Sequence, residues 1–406
     1  MKSESAITML PLEDAVASRS KGPLPSHPYF DPAWWELEKK AIFMRTWLHV
    51  AHICELPEPG SFIRRDLEFA KVSLLIVRSR DGRINAFHNT CTHRGTQLVS
   101  EAQGKRRQFT CPYHKWTFGN DGDFMAAPDF DRFHVDKMEC NLKRISLEIC
   151  SGLIFINLSP EYKDSLGPRE SLRDFLGGIA DELETMPIAK AVTFYEYTYE
   201  IKANWKLNFD NFQENYHVRF IHPRTAEQTL TPENPFGYPV AYGFLGPHRS
   251  QTLWKNPSPP PPPETQKFAL GRAIEIAQKD KLVCPKVDFK LFPCLHIVGQ
   301  TLYFFTHTMT PIDAERTRGS IRLYWTSEDD CASRLFTREY ITMMLRDIHA
   351  EDREIVEAGQ RGIRGVDKVF FQDHEVLLRH LHEEVSMRVQ AYLDEIKSNE
   401  KIASEK

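Results

Sequence analysis

No stretch of this sequence approaches the roughly eighteen consecutive apolar residues that a membrane-spanning helix needs. The opening Met1-Lys-Ser-Glu-Ser-Ala-Ile-Thr also lacks a signal peptide's apolar core, so a cytoplasmic protein without a membrane partner is expected. Positive charge is not in excess. The formal net charge is −4, which leaves no electrostatic footprint for nucleic acid. Cysteine is sparse: Cys54, Cys91, Cys111, Cys140, Cys150, Cys284, Cys294 and Cys331 show no disulfide-scaffold spacing, and six of them read as plain reduced thiols. A glycine-rich dinucleotide fingerprint is missing as well. What is present is a chain of 406 residues, 41% of them hydrophobic, enough material for two cored domains.

Cys91 and Cys111 are the cysteines with ligand-like neighbours. Cys91-Thr-His93-Arg-Gly95 is followed, after seventeen residues intervening from His93, by Cys111-Pro-Tyr-His114-Lys-Trp116. In a Rieske [2Fe-2S] cluster two cysteines hold one iron and two histidines the other, so Cys91, His93, Cys111 and His114 are the expected cluster ligands. A structural zinc is the plainer alternative, but zinc fingers group Cys with Cys and His with His, whereas here each Cys has its own His. Val72–Val77, Ile84–Phe87, Arg107–Thr110 and Gly152–Ile156 are short, apolar and rich in β-branched or aromatic residues, as strands are. The ligands are therefore expected on two loops between strands, with Gly95, Gly104 and Pro112 suiting tight turns.

A second constellation reads Asn204-Trp-Lys-Leu-Asn-Phe-Asp210-Asn-Phe-Gln-Glu214-Asn-Tyr-His217-Val-Arg-Phe-Ile-His222-Pro223. Asp210, Glu214 and His217 stand at i, i+4 and i+7, which predicts one shared helix face. Pro223 biases His222 away from helical geometry and lets it swing back beside His217. Two histidines and a carboxylate from elsewhere make the facial triad of non-haem Fe(II) oxygenases.

Together the two motifs resemble the α subunit, or oxygenase component, of the Rieske non-haem iron oxygenases, the family of aromatic-ring-hydroxylating dioxygenases and demethylating monooxygenases. The similarity spans nearly the whole chain. It implies an α+β protein: an N-terminal segment and helix (1–45), a β-rich Rieske domain (46–162) and a helix-grip catalytic domain with an antiparallel sheet (163–406). It implies a [2Fe-2S] Rieske cluster and a mononuclear Fe(II) held by His217, His222 and a downstream carboxylate. Ala350-Glu-Asp352-Arg-Glu-Ile-Val-Glu357-Ala-Gly-Gln360-Arg-Gly362 is similar to the family's acidic pair ahead of Gln-x-Gly, which selects Asp352, with Asp347, Glu351 and Asp373 as alternatives. Glu214 holds the position of the family's bridge to the cluster, where many ring-hydroxylating members have Asp. A carboxylate there accepts the N–H of His217 and fixes its tautomer; a simple helix ion pair is the alternative.

The activity implied is O₂-dependent mono- or dioxygenation of an aromatic or similar small organic substrate. Electrons would come from NAD(P)H through a separate flavin reductase, with or without a ferredoxin. Oxidative demethylation of a methoxy-arene or quaternary ammonium compound is an alternative. A bare Rieske electron carrier and a catalytically dead ligand sensor are readings of other classes. The family's assembly is a homotrimeric head-to-tail ring, joined in one branch by an accessory β subunit.

Elsewhere, Pro32-Ala-Trp-Trp opens a predicted helix, and Thr193–Ile201 alternates as a strand. Leu302–Phe305 and Ile321–Trp325 read as strands, residues 334–363 and 372–396 as helices, and 164–186 as linker and helix. The proline-rich 224–268, including the 257–263 run, is a candidate lid, with a polyproline ligand for an SH3-like partner as the alternative. Tyr238, Tyr242, Phe244, Trp254, Tyr303, Phe304 and Phe305 are candidate pocket aromatics, though core packing is the plainer role. Arg219 is a weaker candidate for a substrate carboxylate than for a structural or interfacial role.

Overall fold

A computed structural model describes residues 7–159, 170–223, 225, 230–254, 256–258, 261, 264–279, 287–299, 303–326 and 331–404. The chain divides into two compact units, Phe43–Phe175 and the combination of Met1–Ile42 with Leu176–Lys406. The N-terminal segment is thus grouped with the catalytic half.

The Phe43–Phe175 unit is built on antiparallel sheets. Seven strands run in the order Leu48–His52, Leu153–Asn157, Arg144–Cys150, Ile84–His88, Val72–Arg78, Ser61–Leu67 and Gln103–Lys105, and Phe124–Ala126, Thr117–Gly119 and Gln108–Thr110 form a smaller sheet. The apolar runs noted in the sequence supply these strands: Leu74, Leu75, Ile76 and Val77 are fully buried, as expected where both faces of a strand are covered. Gly104 does not serve a ligand loop. It lies in an edge strand, where a Cβ would come within 2.8 Å of the Phe62 ring.

The other unit is an eight-stranded antiparallel sheet, ordered Met9–Leu10, Tyr242–Leu245, His248–Gln251, Val287–Leu291, Leu295–Gly299, Phe304–Asp313, Arg316–Trp325 and Thr193–Ile201. The helix Ala332–Gly362 buries Thr337, Ile341, His349, Asp352, Val356 and Gln360, a stripe close to the 3.6-residue period. Val356 packs with Tyr199, Ile201 and Ile321, and Ile341 with Leu323 and Trp325. Sheet and helix together form the helix-grip architecture. Gly319 gives Tyr199 room, because a Cβ there would lie 1.9 Å from the phenol ring. The Tyr199 hydroxyl then reaches His307 Nε2 at 2.5 Å.

The 224–268 segment is not one loop. It contributes the hairpin Tyr242–Leu245/His248–Gln251 to the sheet and the start of the helix Glu264–Lys279. Pro259, Pro260, Pro262 and Pro263 of the proline run, with residues 224 and 226–229, lie outside the described residues, as does 164–169 of the linker. Among the described residues no helix is long and apolar enough to cross a membrane.

Candidate active site

The four Rieske-motif residues sit on two loops of the Phe43–Phe175 unit. Each loop closes on its own backbone: Cys91 N–H donates to Thr96 O at 2.8 Å and Gly95 N–H to Cys91 O at 3.0 Å, while Cys111 N–H donates to Trp116 O at 2.7 Å and Lys115 N–H to Cys111 O at 3.1 Å. Gly95 (φ 76°) and Lys115 (φ 61°) take the left-handed conformation that these turns require. Both cysteines are buried, while His93 and His114 are half-buried. The two imidazoles stand edge to face with centroids 4.8 Å apart, and His93 stacks on Trp116. Burial pushes the Cys91 thiol up to about 11, opposed by the His93 and Arg94 N–H groups that point at the sulfur, and the Cys111 sulfur raises it further. Sulfurs inward, imidazoles outward and N–H groups on sulfur suit a two-iron cluster. A single zinc would draw its donor atoms to within about 4 Å of one another. Among the described residues, the donor group that lies wholly within 4.8 Å is a different one.

That group is His217, His222 and Asp352. His222 Nε2 lies 2.9 Å and His217 Nε2 3.5 Å from Asp352 Oδ1, with the two rings edge to face. Asp352 Oδ1 is buried without a hydrogen-bond partner. Each imidazole turns its far nitrogen to a carboxylate: His217 Nδ1 pairs with Glu214 Oε1, and His222 Nδ1 donates to Glu351 Oε2 at 2.7 Å. Thr225 Oγ1 donates to the same Glu351 oxygen at 2.8 Å. Burial lowers the His222 pKa, but Asp352 and Glu351 outweigh it and raise the value above the ordinary one. Two Nε2 lone pairs and one orphaned carboxylate oxygen facing a common point fit a facial-triad metal.

The local backbone explains the convergence. Asn204 caps the helix Trp205–Asn211 by accepting Lys206 N–H at 2.9 Å. Lys206 and Trp205 anchor it on the fully buried Glu38, with Lys206 Nζ at 2.6 and 2.8 Å and Trp205 Nε1 at 2.9 Å. The chain leaves helical geometry at Phe212 and resumes it over Val218–Ile221. The expected shared face of Asp210, Glu214 and His217 is therefore not formed. Asp210 turns to Tyr29 Oη (2.7 Å) and His382 Nε2 (3.1 Å), while Glu214 Oε2 accepts the backbone N–H groups of Tyr216 and His217 in the break. Of the alternative carboxylates, Asp347 and Asp373 are exposed, and Glu351 holds His222 by its Nδ1.

A cavity of about 700 Å³ opens on the triad. Phe212, Trp254, Tyr303 and Phe305 line it. The other candidate aromatics do not: Phe304 stacks on Tyr324, Tyr238 stacks on His374, Phe244 packs beside Ala15, and the fully buried Tyr242 reaches His374 Nδ1 through its hydroxyl at 2.8 Å. Arg219 is exposed, with its guanidinium over Phe236. Buried His349, one turn before Asp352, was not singled out in the sequence; burial lowers its pKa to about 4. Its place on the helix stripe was the available signal.

Residues 46–143 match the Rieske [2Fe-2S] domain family, and residues 188–391 match the ring hydroxylating alpha subunit (catalytic domain) family. The chain belongs to the ring-hydroxylating oxygenase α subunits. Its cofactors are accordingly a Rieske cluster and a mononuclear iron. The glycine betaine monooxygenase oxygenase subunit of Pseudomonas aeruginosa is 32% identical over 207 residues, 51% of this chain and 46% of that protein, so the match spans about half of that relative's length. The carnitine monooxygenase oxygenase subunit of Acinetobacter baumannii is 29% identical over 89% of this chain and 90% of its own. A solved quaternary ammonium Rieske monooxygenase in complex with an inhibitor superposes with a TM-score of 0.73 and 25% identity, over 94% of this chain and 99% of that one.

Proposed function

We propose that this chain is the terminal oxygenase component of a multi-protein monooxygenase or dioxygenase. It would take electrons singly from a flavin reductase, with or without a ferredoxin, and use O₂ to hydroxylate an aromatic or similar small organic substrate. The observation that carries this function is the convergence of His217, His222 and Asp352 on a cavity large enough for such a molecule, in a chain that also holds Cys91, His93, Cys111 and His114 in a cluster-like arrangement. When bound, the cluster supplies one-electron storage and the mononuclear iron supplies oxygen activation.

The protein's own residues orient and exclude. His217 and His222 are assigned as ligands through Nε2 because their Nδ1–H groups are committed to Glu214 and Glu351. Asp352 completes the triad. Glu214 is assigned as the bridge for electron transfer, from a cluster that in a head-to-tail homotrimer belongs to the neighbouring protomer. An accessory β subunit is compatible with the same assembly. Phe212, Trp254 and Phe305 keep water from the substrate's apolar part.

Oxidative demethylation is a second reading, favoured by relatives named for glycine betaine and carnitine and by aromatic walls suited to an alkylammonium. A panel of aromatic acids, phenols, methoxy-arenes and betaines, scored by product mass and O₂ uptake with a competent reductase, tests both. Substrate-dependent O₂ uptake coupled to a hydroxylated or demethylated product supports the oxygenase. A chain with both iron centres that gives no such uptake across the panel contradicts it.

A further inference from the structure

One wall of the cavity is polar in a way the metal triad does not use. Gln251, Asp288 and His296 lie on three adjacent strands of the eight-stranded sheet, with Gln251 and Asp288 on the two strands that pair Ser250 with Phe289, and His296 opposite Lys290 on the next. All three line the cavity and are at least nine-tenths buried, with relative exposures of 7%, 3% and 7%. Asp288 organises them. Its Oδ2 accepts Gln251 Nε2 at 2.9 Å, and its Oδ1 accepts His296 Nε2 at 2.6 Å and lies 2.5 Å from Lys290 Nζ.

A carboxylate only accepts, so these contacts fix what the partners can offer. The Gln251 amide must turn its N–H₂ to Asp288 and its Oε1 away. His296 must carry its proton on Nε2, leaving a lone pair on Nδ1. Burial lowers the His296 pKa against the opposing pull of Asp288. Burial raises the Asp288 carboxyl, but Lys290 and His296 outweigh it and hold it below the usual range. Gln251 Oε1 and His296 Nδ1 are both buried without a hydrogen-bond partner. Two residues of the sheet wall thus each hold a fixed, buried acceptor, and Lys290 balances the one full charge beside them. A buried acceptor left without a donor is destabilising.

We propose that this wall is the specificity site for a hydrogen-bond donor on the substrate: a neutral hydroxyl or N–H group received by His296 Nδ1 and Gln251 Oε1. Asp288 is the positioning residue that keeps both groups acceptors. Ether oxygens, carboxylates and fully alkylated nitrogens have no hydrogen to give and are disfavoured there. The meaning of the site as substrate recognition rests on the oxygenase function proposed above; its binding preference does not.

The test is equilibrium binding of matched pairs, phenol against anisole and aniline against N,N-dimethylaniline, to the full chain with both iron centres in place. The donor member is expected to bind about tenfold tighter, the effect of one to two net hydrogen bonds. His296→Phe should reduce that ratio to about one or two, as should Asp288→Asn, which allows either imidazole tautomer. Gln251→Met, of similar size, should lower it about threefold and serves as the test if His296→Phe does not fold. If water rather than a substrate donor fills these acceptors, neither member of a pair is preferred. Equal affinities within each pair, no binding by either donor member, or an unchanged ratio in the variants would overturn the site. Failure of the oxygenase function would look different: the donor preference would persist while O₂ uptake stayed absent.

Discussion

The two candidate metal sites of this protein are built in opposite ways. In the Phe43–Phe175 unit each Cys–His pair lies within four residues, and each loop is held by its own backbone hydrogen bonds. In the catalytic unit the candidate ligands come from positions 217, 222 and 352, and each imidazole is set by a carboxylate side chain. A site closed by local backbone is fixed by spacing and turn geometry. A site assembled from two distant helical segments depends on which residues the fold buries and on the groups that hold the ligands.

That contrast has consequences of graded size. Replacing His217 or His222 with Ala should abolish turnover while leaving the visible Rieske spectrum intact; loss of that spectrum would mean the sites are not independent. Glu214→Gln should keep both metals but slow cluster reoxidation by substrate and O₂ roughly a hundredfold, the upper end of such effects. Near-normal reoxidation would leave Glu214 as an ordinary carboxylate in the break between helices. His114→Cys should retain a cluster and lower its midpoint potential, because an imidazole is exchanged for a thiolate; an unchanged midpoint would remove His114 from the ligand set. Glu351→Gln should weaken mononuclear iron binding about tenfold without altering the cluster's potential, measured by chelator competition. Asp347→Ala should change neither, since its carboxylate is exposed.

Much of this was legible in the sequence, unequally between the units. The Cys-x-His and Cys-x-x-His pairs marked the candidate cluster loops because candidate ligand and turn are contiguous there. Strand Thr193–Ile201 follows from its alternation, and the helix Ala332–Gly362 lies close to the predicted 334–363, whereas the helix Glu264–Lys279 begins within the segment read as a loop. Asp352 is selected by resemblance; in the structure it falls on the buried stripe with His349 and Val356, whereas Asp347 and Asp373 are exposed. The i, i+4, i+7 spacing of Asp210, Glu214 and His217 misled because periodicity assumes an unbroken helix. Here Glu214 accepts backbone N–H groups in the break and Asp210 is drawn to Tyr29 and His382. The strands of 224–268 were hidden by flanking prolines. Glu351 as the partner of His222, and the Gln251–Asp288–His296 wall, depend on contacts across distant segments that no local pattern encodes.

The most direct test of two iron centres in one chain is metal analysis of the anaerobically purified protein beside Asp352→Ala. The expected result is about three irons per chain, falling to about two in the variant with the Rieske spectrum unchanged. About two irons in the unmodified chain, with no loss in Asp352→Ala, would contradict the mononuclear centre and leave an electron carrier.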